Sequence, residues 1–366
     1  MYQFIFITGA GRCGTNVIAG LFDGHSKIDV LAGEYSSYYR NVLNTNGLSG
    51  TVDLAESGQF LLNDVYDLYE GDDDFEKIKD RLKNRFSKLW GSGTTRLSAN
   101  DFLSHVCGAI FEKNEGTAVI NVCNENIDGL LEAFPGCRVI HMLRNPLTQL
   151  NSRYLLRSGD TNSFGGNFPG YWEFGKAFQN NYDSFRQATL HKKSDRVYVL
   201  RMEDLQSRTP EMMSRVFDFL GEEMEDVNET PSRRGLAFQG TRNGRKISTN
   251  KMFANKEDWS CLSPNDLYFC GRMKQVREFY DLPEFPFKAN SYPFFLRRQL
   301  GFVGNKRTRT KSPYRIFKII VVSIAQYLQD LCEKCYFEVY MEGREDKDGI
   351  FSDQTLQAET TSKPDN

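Results

Sequence analysis

The sequence predicts a three-layer α/β fold, in which helices cover both faces of a five-stranded parallel sheet. Two observations favour this fold: short apolar runs rich in β-branched residues recur along the chain, and segments of helical character separate them. The predicted strands are Gln3–Thr8, Ile28–Leu31, Thr117–Val122, Arg138–Leu143 and Arg196–Arg201.

Helices are predicted between and after these strands. Pro210 suits the first turn of the last helix, where its missing N–H is not needed, and Gly221 ends that helix. The predicted helices are Thr15–Phe22, Ile127–Phe134, Leu147–Arg157, Tyr171–Leu190 and Pro210–Leu220.

A long insertion, about residues 38–116, separates the second strand from the third and is predicted to be mostly helical. Three aspartates at 72–74 begin one helix with negative charge, and basic residues near its end complement the helix dipole. Ser98, with Asp101 three residues further on, predicts the start of a second helix. The insertion forms a lid or substrate wall, or it only packs on the domain.

Composition excludes several classes of protein. With 40% hydrophobic and 26% charged residues, the chain of 366 residues can form a sizeable core. Its 46 basic and 48 acidic residues give a net charge of -2, so we expect no nucleic-acid partner. Eight cysteines are too sparse for a disulfide scaffold.

The first eight residues lack the features of a signal peptide, which favours a cytoplasmic setting.

The end of the chain differs from residues 1–285. Residues 286–341 form a basic and amphipathic extension, and an amphipathic helix is predicted at about 313–336. This helix either docks on the domain or makes peripheral contact with a membrane surface. Residues 342–366 are polar and acidic, and they are predicted to be a disordered tail.

The first chemical signal is a glycine-rich loop between the first strand and the first helix. Residues 9–16 read Gly-Ala-Gly-Arg-Cys-Gly-Thr-Asn. Glycines permit positive φ angles, and N–H groups at a helix start cradle phosphate oxygens, although an ordinary strand–helix turn is the alternative. A nucleoside-triphosphate loop requires Lys where Thr15 stands, whereas the cation here is Arg12. We therefore expect an anion site that does not serve triphosphate chemistry.

The second signal is Arg144, which directly follows the fourth predicted strand, Arg138–Leu143. Parallel α/β folds place ligand contacts at the carboxyl ends of their strands. Pro146 fits the first turn of the helix that follows, and Ser152 lies two helical turns further on. Arg144 and Ser152 could therefore face one phosphate group, and a structural role for Arg144 is the alternative.

Together these segments resemble the sulfotransferase family. Residues 12–16 are similar to its 5′-phosphosulfate loop, [K/R]-S-G-T-[T/S], and Arg144 with Ser152 matches its 3′-phosphate segment, R-[D]-P-x(5)-S. The two motifs occur in the family's order, about 130 residues apart. Cys13, Asn16 and Asn145 depart from the family patterns.

The resemblance implies a P-loop-type fold and a sulfonate donor, 3′-phosphoadenosine 5′-phosphosulfate, used without a metal ion. The acceptor would be a hydroxyl or amine of a carbohydrate, a lipid-linked molecule or a peptide. A later basic loop resembles the family segment that closes over the nucleotide. The cofactor-binding residues that the resemblance implies are Gly11, Arg12, Cys13, Gly14, Thr15, Asn16, Arg144, Ser152, Lys246 and Ser248.

The resemblance also implies catalytic roles. Arg12 would stabilise the leaving group, and Glu34, just after the second strand, would be the general base, as in the tyrosylprotein and carbohydrate branches of the family. His105, in the insertion, is an alternative base. A small-molecule kinase with a P-loop and a catalytically inactive nucleotide-binding module are the alternative functions.

Overall fold

The structure is a computed structural model that describes a large part of the chain. The described residues are 2–31, 33, 51–54, 74–123, 126–150, 152, 171–233, 235–237, 270 and 274–282. The chain divides into two compact units, one formed by Met1–Arg144 with His191–Ala254 and the other by Asn145–Leu190 with Asn255–Asn366. Each unit is described by itself.

All strands among the described residues belong to the first unit. They are β1 (Tyr2–Gly9), β2 (Ile28–Val30), β3 (Thr51–Asp53), β4 (Arg96–Ser98), β5 (Gly116–Asn121), β6 (Arg138–Leu143), β7 (Val197–Arg201), β8 (Ser232–Arg233) and β9 (Leu236–Ala237).

Five of these strands form one parallel sheet in the order β2-β5-β1-β6-β7. Every predicted strand ends within one residue of its observed position, and the five-stranded parallel sheet is confirmed. Because β1 is central, the loop that follows it lies between the carboxyl ends of β5 and β6. This edge of the sheet is where parallel α/β folds bind ligands.

The helices confirm the predicted alternation. They are α1 (Thr15–Phe22), α2 (Phe75–Gly91), α3 (Ala99–Ile110), α4 (Ile127–Ala133), α5 (146–150), α6 (Tyr171–Leu190), α7 (Met202–Ser207), α8 (Thr209–Leu220) and α9 (Lys274–Phe279). Within the described ranges, no helix is long and apolar enough to cross a membrane.

Two apolar clusters cover the two faces of the sheet. Alternate residues of β1 enter each cluster, because successive side chains of a strand point to opposite faces. Phe4 and Phe6 pack with helices α2, α3 and α4, whereas Ile5 and Ile7 pack with α1 and α8. The three-layer arrangement is therefore confirmed.

The described part of the insertion packs into this core. Phe86 of α2 and Phe102 of α3 are fully buried, and their ring centroids lie 5.1 Å apart. Ser98 caps α3 as predicted, because its Oγ accepts a hydrogen bond from the N–H of Asp101 at 3.0 Å. The antiparallel pair β3–β4 was not predicted, since strands of three residues show too little alternation to be recognised.

In the second unit, Asn145 begins helix α5. Its Oδ1 accepts a hydrogen bond from the N–H of Leu147 at 3.0 Å, so the Asn that replaces the family's acidic residue acts as the helix cap. The prediction of helix α6 is confirmed. The domain boundary at 285, the extension 286–341, the helix at 313–336, the tail 342–366 and residues 153–157 of the predicted helix Leu147–Arg157 lie outside the described residues.

Candidate functional site

The loop between β1 and α1 has the backbone that its glycines predict. Three of its residues have positive φ angles: Gly9 at 144°, Arg12 at 76° and Gly14 at 103°. The N–H of Cys13 donates to the carbonyl of Ala10 at 3.1 Å and closes the turn. Arg12 is the one non-glycine residue of this loop with positive φ, which is an uncommon conformation for a side chain of this size.

Glycine is required at two places because the loop is packed tightly. A Cβ atom on Gly9 would overlap the carbonyl oxygen of Met142 on β6, and a Cβ on Gly14 would overlap Sδ of Met202 on α7. A side chain at Gly9 would therefore push the loop away from β6, and one at Gly14 would displace the Met202 side chain.

The start of α1 offers hydrogen-bond donors to an anion. The N–H groups of Val17 and Ile18 both donate hydrogen bonds to the carbonyl oxygen of Gly14, at 2.9 and 3.2 Å. The N–H groups of Thr15 and Asn16 come earlier in the helix, where no intrahelical acceptor exists. The first turn contains no acidic residue, and Gly14 has no side chain to cap it. A bound phosphate or sulfonate fits these donors and the positive end of the helix dipole.

Cys13 adds little to the hydrogen-bond donors that the loop offers to an anion. Its side chain is buried in the apolar cluster beside α1, and its N–H is used within the turn. This burial gives a physical reason for a thiol where the family pattern has a serine.

Arg144 reaches the loop from the neighbouring strand. It follows β6, which pairs with β1 so that Met142 lies beside Gly9. Nη1 of Arg144 donates a hydrogen bond to the carbonyl oxygen of Arg12 at 2.8 Å. Arg144 and the glycine-rich loop therefore meet at the carboxyl edge of the sheet.

A buried amide, Asn121, also lies at this edge and was missed in the sequence. It ends β5, beside Ile7 of β1, and its Nδ2 donates to Oδ1 of Asn16 at 2.6 Å. The signal that could have found it is a polar residue at the end of the apolar run 118–120, at an edge where ligands bind.

Other predicted site residues are placed less completely. Glu34, Lys246 and Ser248 lie outside the described residues. Strand β2, which precedes Glu34, ends at the same carboxyl edge beside β5. Ser152 is helical and belongs to the second unit, so its share in the site stays a prediction.

His105 lies near the opposite edge of the sheet. The neighbouring Ser104 accepts a hydrogen bond from the N–H of Tyr2, where β1 begins. Nδ1 of His105 accepts a hydrogen bond from Nε of Arg85 at 3.0 Å. Burial and the Arg85 guanidinium lower the pKa of His105. Because β1 is eight residues long, its two ends are about 23 Å apart. The Ser104 contact is at the end away from the loop, which disfavours His105 as the base.

A search for metal ligands in the described ranges found no group of three or more His, Cys, Asp or Glu side chains that could hold an ion. Cys332 and Cys335, the C-x-x-C pair of the sequence, are outside these ranges.

The chain as a whole resembles known proteins. A family model described as "Sulfotransferase family" matches residues 4–226, which is more than half of the chain. No curated protein matches the chain.

Several solved structures resemble the chain. The sulfotransferase domain from the curacin biosynthetic pathway is 17% identical with a TM-score of 0.40, covering 82% of this chain and 98% of that one. The sulfotransferase domain from the Synechococcus PCC 7002 olefin synthase is 16% identical with a TM-score of 0.40, covering 64% and 78%. A mouse sulfotransferase complexed with PAP is 12% identical with a TM-score of 0.33, covering 62% of each chain.

Proposed function

The chain belongs to the sulfotransferase family, and on that premise we propose that it transfers a sulfonate group from 3′-phosphoadenosine 5′-phosphosulfate to a hydroxyl or amine. One observation carries the proposal: Arg144 and the glycine-rich loop meet at the carboxyl edge of the sheet, joined by the hydrogen bond to the Arg12 carbonyl. A donor with phosphate groups at its 3′ and 5′ positions needs a cationic contact for each, and these two arginines supply them.

The loop would bind the 5′ end of the donor. The N–H groups of Thr15 and Asn16, at the start of α1, would donate to the phosphate oxygens. Gly11 and Gly14 would allow the backbone to approach closely. The Arg12 guanidinium would stabilise the negative charge that develops on the leaving phosphate oxygen.

Arg144 would bind the 3′-phosphate, and Ser152 would donate a hydroxyl to the same group. Lys246 and Ser248 would close over the nucleotide. A 3′-phosphate contact separates this site from ordinary ATP sites, because ATP has no phosphate at that position.

The chemistry is an in-line displacement without a metal ion. The donor supplies an activated sulfonate, whose bond to the 5′-phosphate breaks as the acceptor oxygen or nitrogen bonds to sulfur. Glu34 would remove the proton of the acceptor as general base. A Glu base suggests a carbohydrate, lipid-linked or peptidyl acceptor, by analogy with the family. The amphipathic segment 313–336 would bring the enzyme to a membrane surface if the acceptor is lipid-linked.

Nucleotide titration tests the proposal. By isothermal titration calorimetry we expect the full chain to bind adenosine 3′,5′-bisphosphate tightly, with no need for Mg²⁺, and to respond weakly to ATP with Mg²⁺. Tight binding of ATP–Mg²⁺ and indifference to the bisphosphate would instead support a kinase and overturn the proposal. Bisphosphate binding without transfer to any acceptor pool would indicate an inactive binding module.

A further inference from the structure

The side-chain amides of Asn16 and Asn121 form a pair that joins the anion loop to the sheet. Asn16 is the second residue of α1, and Asn121 ends β5 on the sheet face against which α1 packs. Nδ2 of Asn121 donates to Oδ1 of Asn16 at 2.6 Å. Asn16 also stands where the family's loop pattern has a hydroxyl residue.

The pair leaves one buried polar atom without a partner. Asn121 is 1% exposed, and in the described part of the chain its Oδ1 makes no hydrogen bond. An unpaired buried carbonyl opposes folding, because the group loses its water and gains nothing in return. A leucine of similar shape would avoid this penalty, so folding alone does not account for an amide at this position.

The pair fixes which way the Asn16 amide faces. Oδ1 and Nδ2 are the two ends of a planar amide. Because Oδ1 of Asn16 is held by Asn121, the two N–H donors of Asn16 are directed to the other side of its side chain. Without Asn121, the amide of Asn16 could rotate and present its oxygen to the phosphate, where two acceptors would repel each other.

We propose that Asn121 is a positioning residue for the sulfonate donor: it orients the Asn16 amide so that Nδ2 donates to the 5′-phosphate in place of the family's hydroxyl. The inference rests on the proposed function, because it assumes that the loop binds the 5′ end of that nucleotide. Asn121 would act through Asn16 and need not touch the nucleotide itself.

The test compares two nucleotides by calorimetry on the full chain. Adenosine 3′,5′-bisphosphate has the 5′-phosphate, and adenosine 3′-monophosphate lacks it. We expect Asn121→Leu to raise the Kd of the bisphosphate about 5- to 50-fold, the range for misaligning one hydrogen bond to a charged group, and to change the Kd of the monophosphate less than about twofold. The thermal midpoint without nucleotide should change little, since the substitution removes the unpaired oxygen along with the hydrogen bond from Asn121 to Asn16.

Asn228 provides a matched control for a purely structural buried amide. Its Nδ2 donates to the carbonyl of Leu21 at 2.7 Å, and its Oδ1 accepts from the N–H of Glu225 at 3.0 Å. Asn228→Leu should therefore lower the thermal midpoint. Any change that it makes in Kd should be the same for the two nucleotides.

The substitution Asn16→Thr supplies the second part of the test. A threonine hydroxyl can rotate to donate to the phosphate, so it does not need Asn121 to orient it. In a chain that carries Asn16→Thr, adding Asn121→Leu should no longer weaken bisphosphate binding. The inference is overturned if Asn121→Leu raises the Kd of both nucleotides equally or of neither. It is also overturned if Asn121→Leu raises the Kd of the bisphosphate as much in the Asn16→Thr chain as in the unaltered chain. If the unaltered chain binds neither nucleotide, it is the proposed function that fails.

Discussion

The guanidinium of Arg144 donates a hydrogen bond to the main-chain carbonyl of Arg12, 2.8 Å away and 132 positions earlier in the chain. Arg12 has a φ angle of 76°, in the left-handed region. The bond therefore holds the loop in a conformation that its sequence does not favour at this residue. One side chain at the end of β6 thus sets the shape of the loop. In the proposed function, the same side chain would also supply the cation for the 3′-phosphate.

This dual role predicts that lysine cannot replace Arg144. A guanidinium is planar and can direct one N–H to the Arg12 carbonyl and others to a phosphate, whereas an ammonium on a flexible stem does so poorly. We expect Arg144→Lys to raise the Kd of adenosine 3′,5′-bisphosphate about 10-fold or more, and Arg144→Ala about 100-fold. Calorimetry measures both values.

Arg196 is the control for this prediction. Its guanidinium donates to the carbonyls of Phe134 and Cys137 at 3.0 and 3.1 Å, and it is a structural contact near the amino end of β7. Arg196→Lys should lower the free energy of unfolding and leave nucleotide affinity nearly unchanged. Equal affinities for Arg144→Lys and the unaltered chain would mean that nucleotide binding does not need a guanidinium at this position, and the dual role of Arg144 would be wrong.

Gly14 is predicted to be irreplaceable for both stability and binding. Alanine there would be strained at a φ angle of 103°, and its Cβ would overlap Sδ of Met202. We expect Gly14→Ala to lower the free energy of unfolding by about 1–3 kcal/mol and to weaken bisphosphate binding, because the donors of α1 would move. Urea unfolding and calorimetry measure the two effects.

Gly91 is the matched glycine. It ends helix α2, its φ is not positive, and a Cβ there would meet nothing within 4 Å. Gly91→Ala should therefore leave the free energy of unfolding unchanged or raise it by up to about 1 kcal/mol. If Gly14→Ala changes the free energy of unfolding no more than Gly91→Ala does, the tight packing at Gly14 is not what positions the loop.

Local patterns were enough to predict the strands and the loop. Apolar, β-branched runs are short and distinct in this chain, so each strand of the parallel sheet was placed within one residue. The glycines at 9 and 14 predicted the positive φ angles that the loop adopts. Such features depend on residues that are adjacent in the sequence, so they can be predicted without knowing the fold.

The contacts across the site depend on register and could not be predicted. Asn121 reaches Asn16 because β5 pairs with β1 at Ile7, and no local pattern determines that pairing. The sequence placed Arg144 at the correct edge through its strand, but its bond to a backbone carbonyl depends on the path of the loop. The unusual conformation of Arg12 has the same origin.

His105 is predicted to make the fold less stable at mildly acid pH. Burial and Arg85 lower its pKa below the ordinary 6.5, so the unfolded chain binds the proton first as the pH falls. The stabilisation is complete above pH 6.5 and is lost as the pH falls through the folded pKa. His105→Gln keeps an acceptor for Arg85 that does not titrate. Urea unfolding at pH 7.5 and 5.5 should therefore show a smaller difference for this variant, and an unchanged difference would contradict the prediction.

The base is the last role to test, and Glu34 and His105 are its two candidates. We expect Glu34→Gln to lower the rate of sulfonate transfer roughly 10²–10⁴-fold, because the acceptor keeps its proton during attack, while the Kd of the bisphosphate stays within about twofold. His105→Gln should leave the rate nearly unchanged, since the neighbouring Ser104 contacts Tyr2 at the amino end of β1, the end away from the loop. Transfer of labelled sulfonate to pools of carbohydrate, lipid and peptide acceptors measures both rates. If the two variants are equally active, the proton goes to a residue other than Glu34, and the likeness to the Glu-base branches no longer predicts the acceptor.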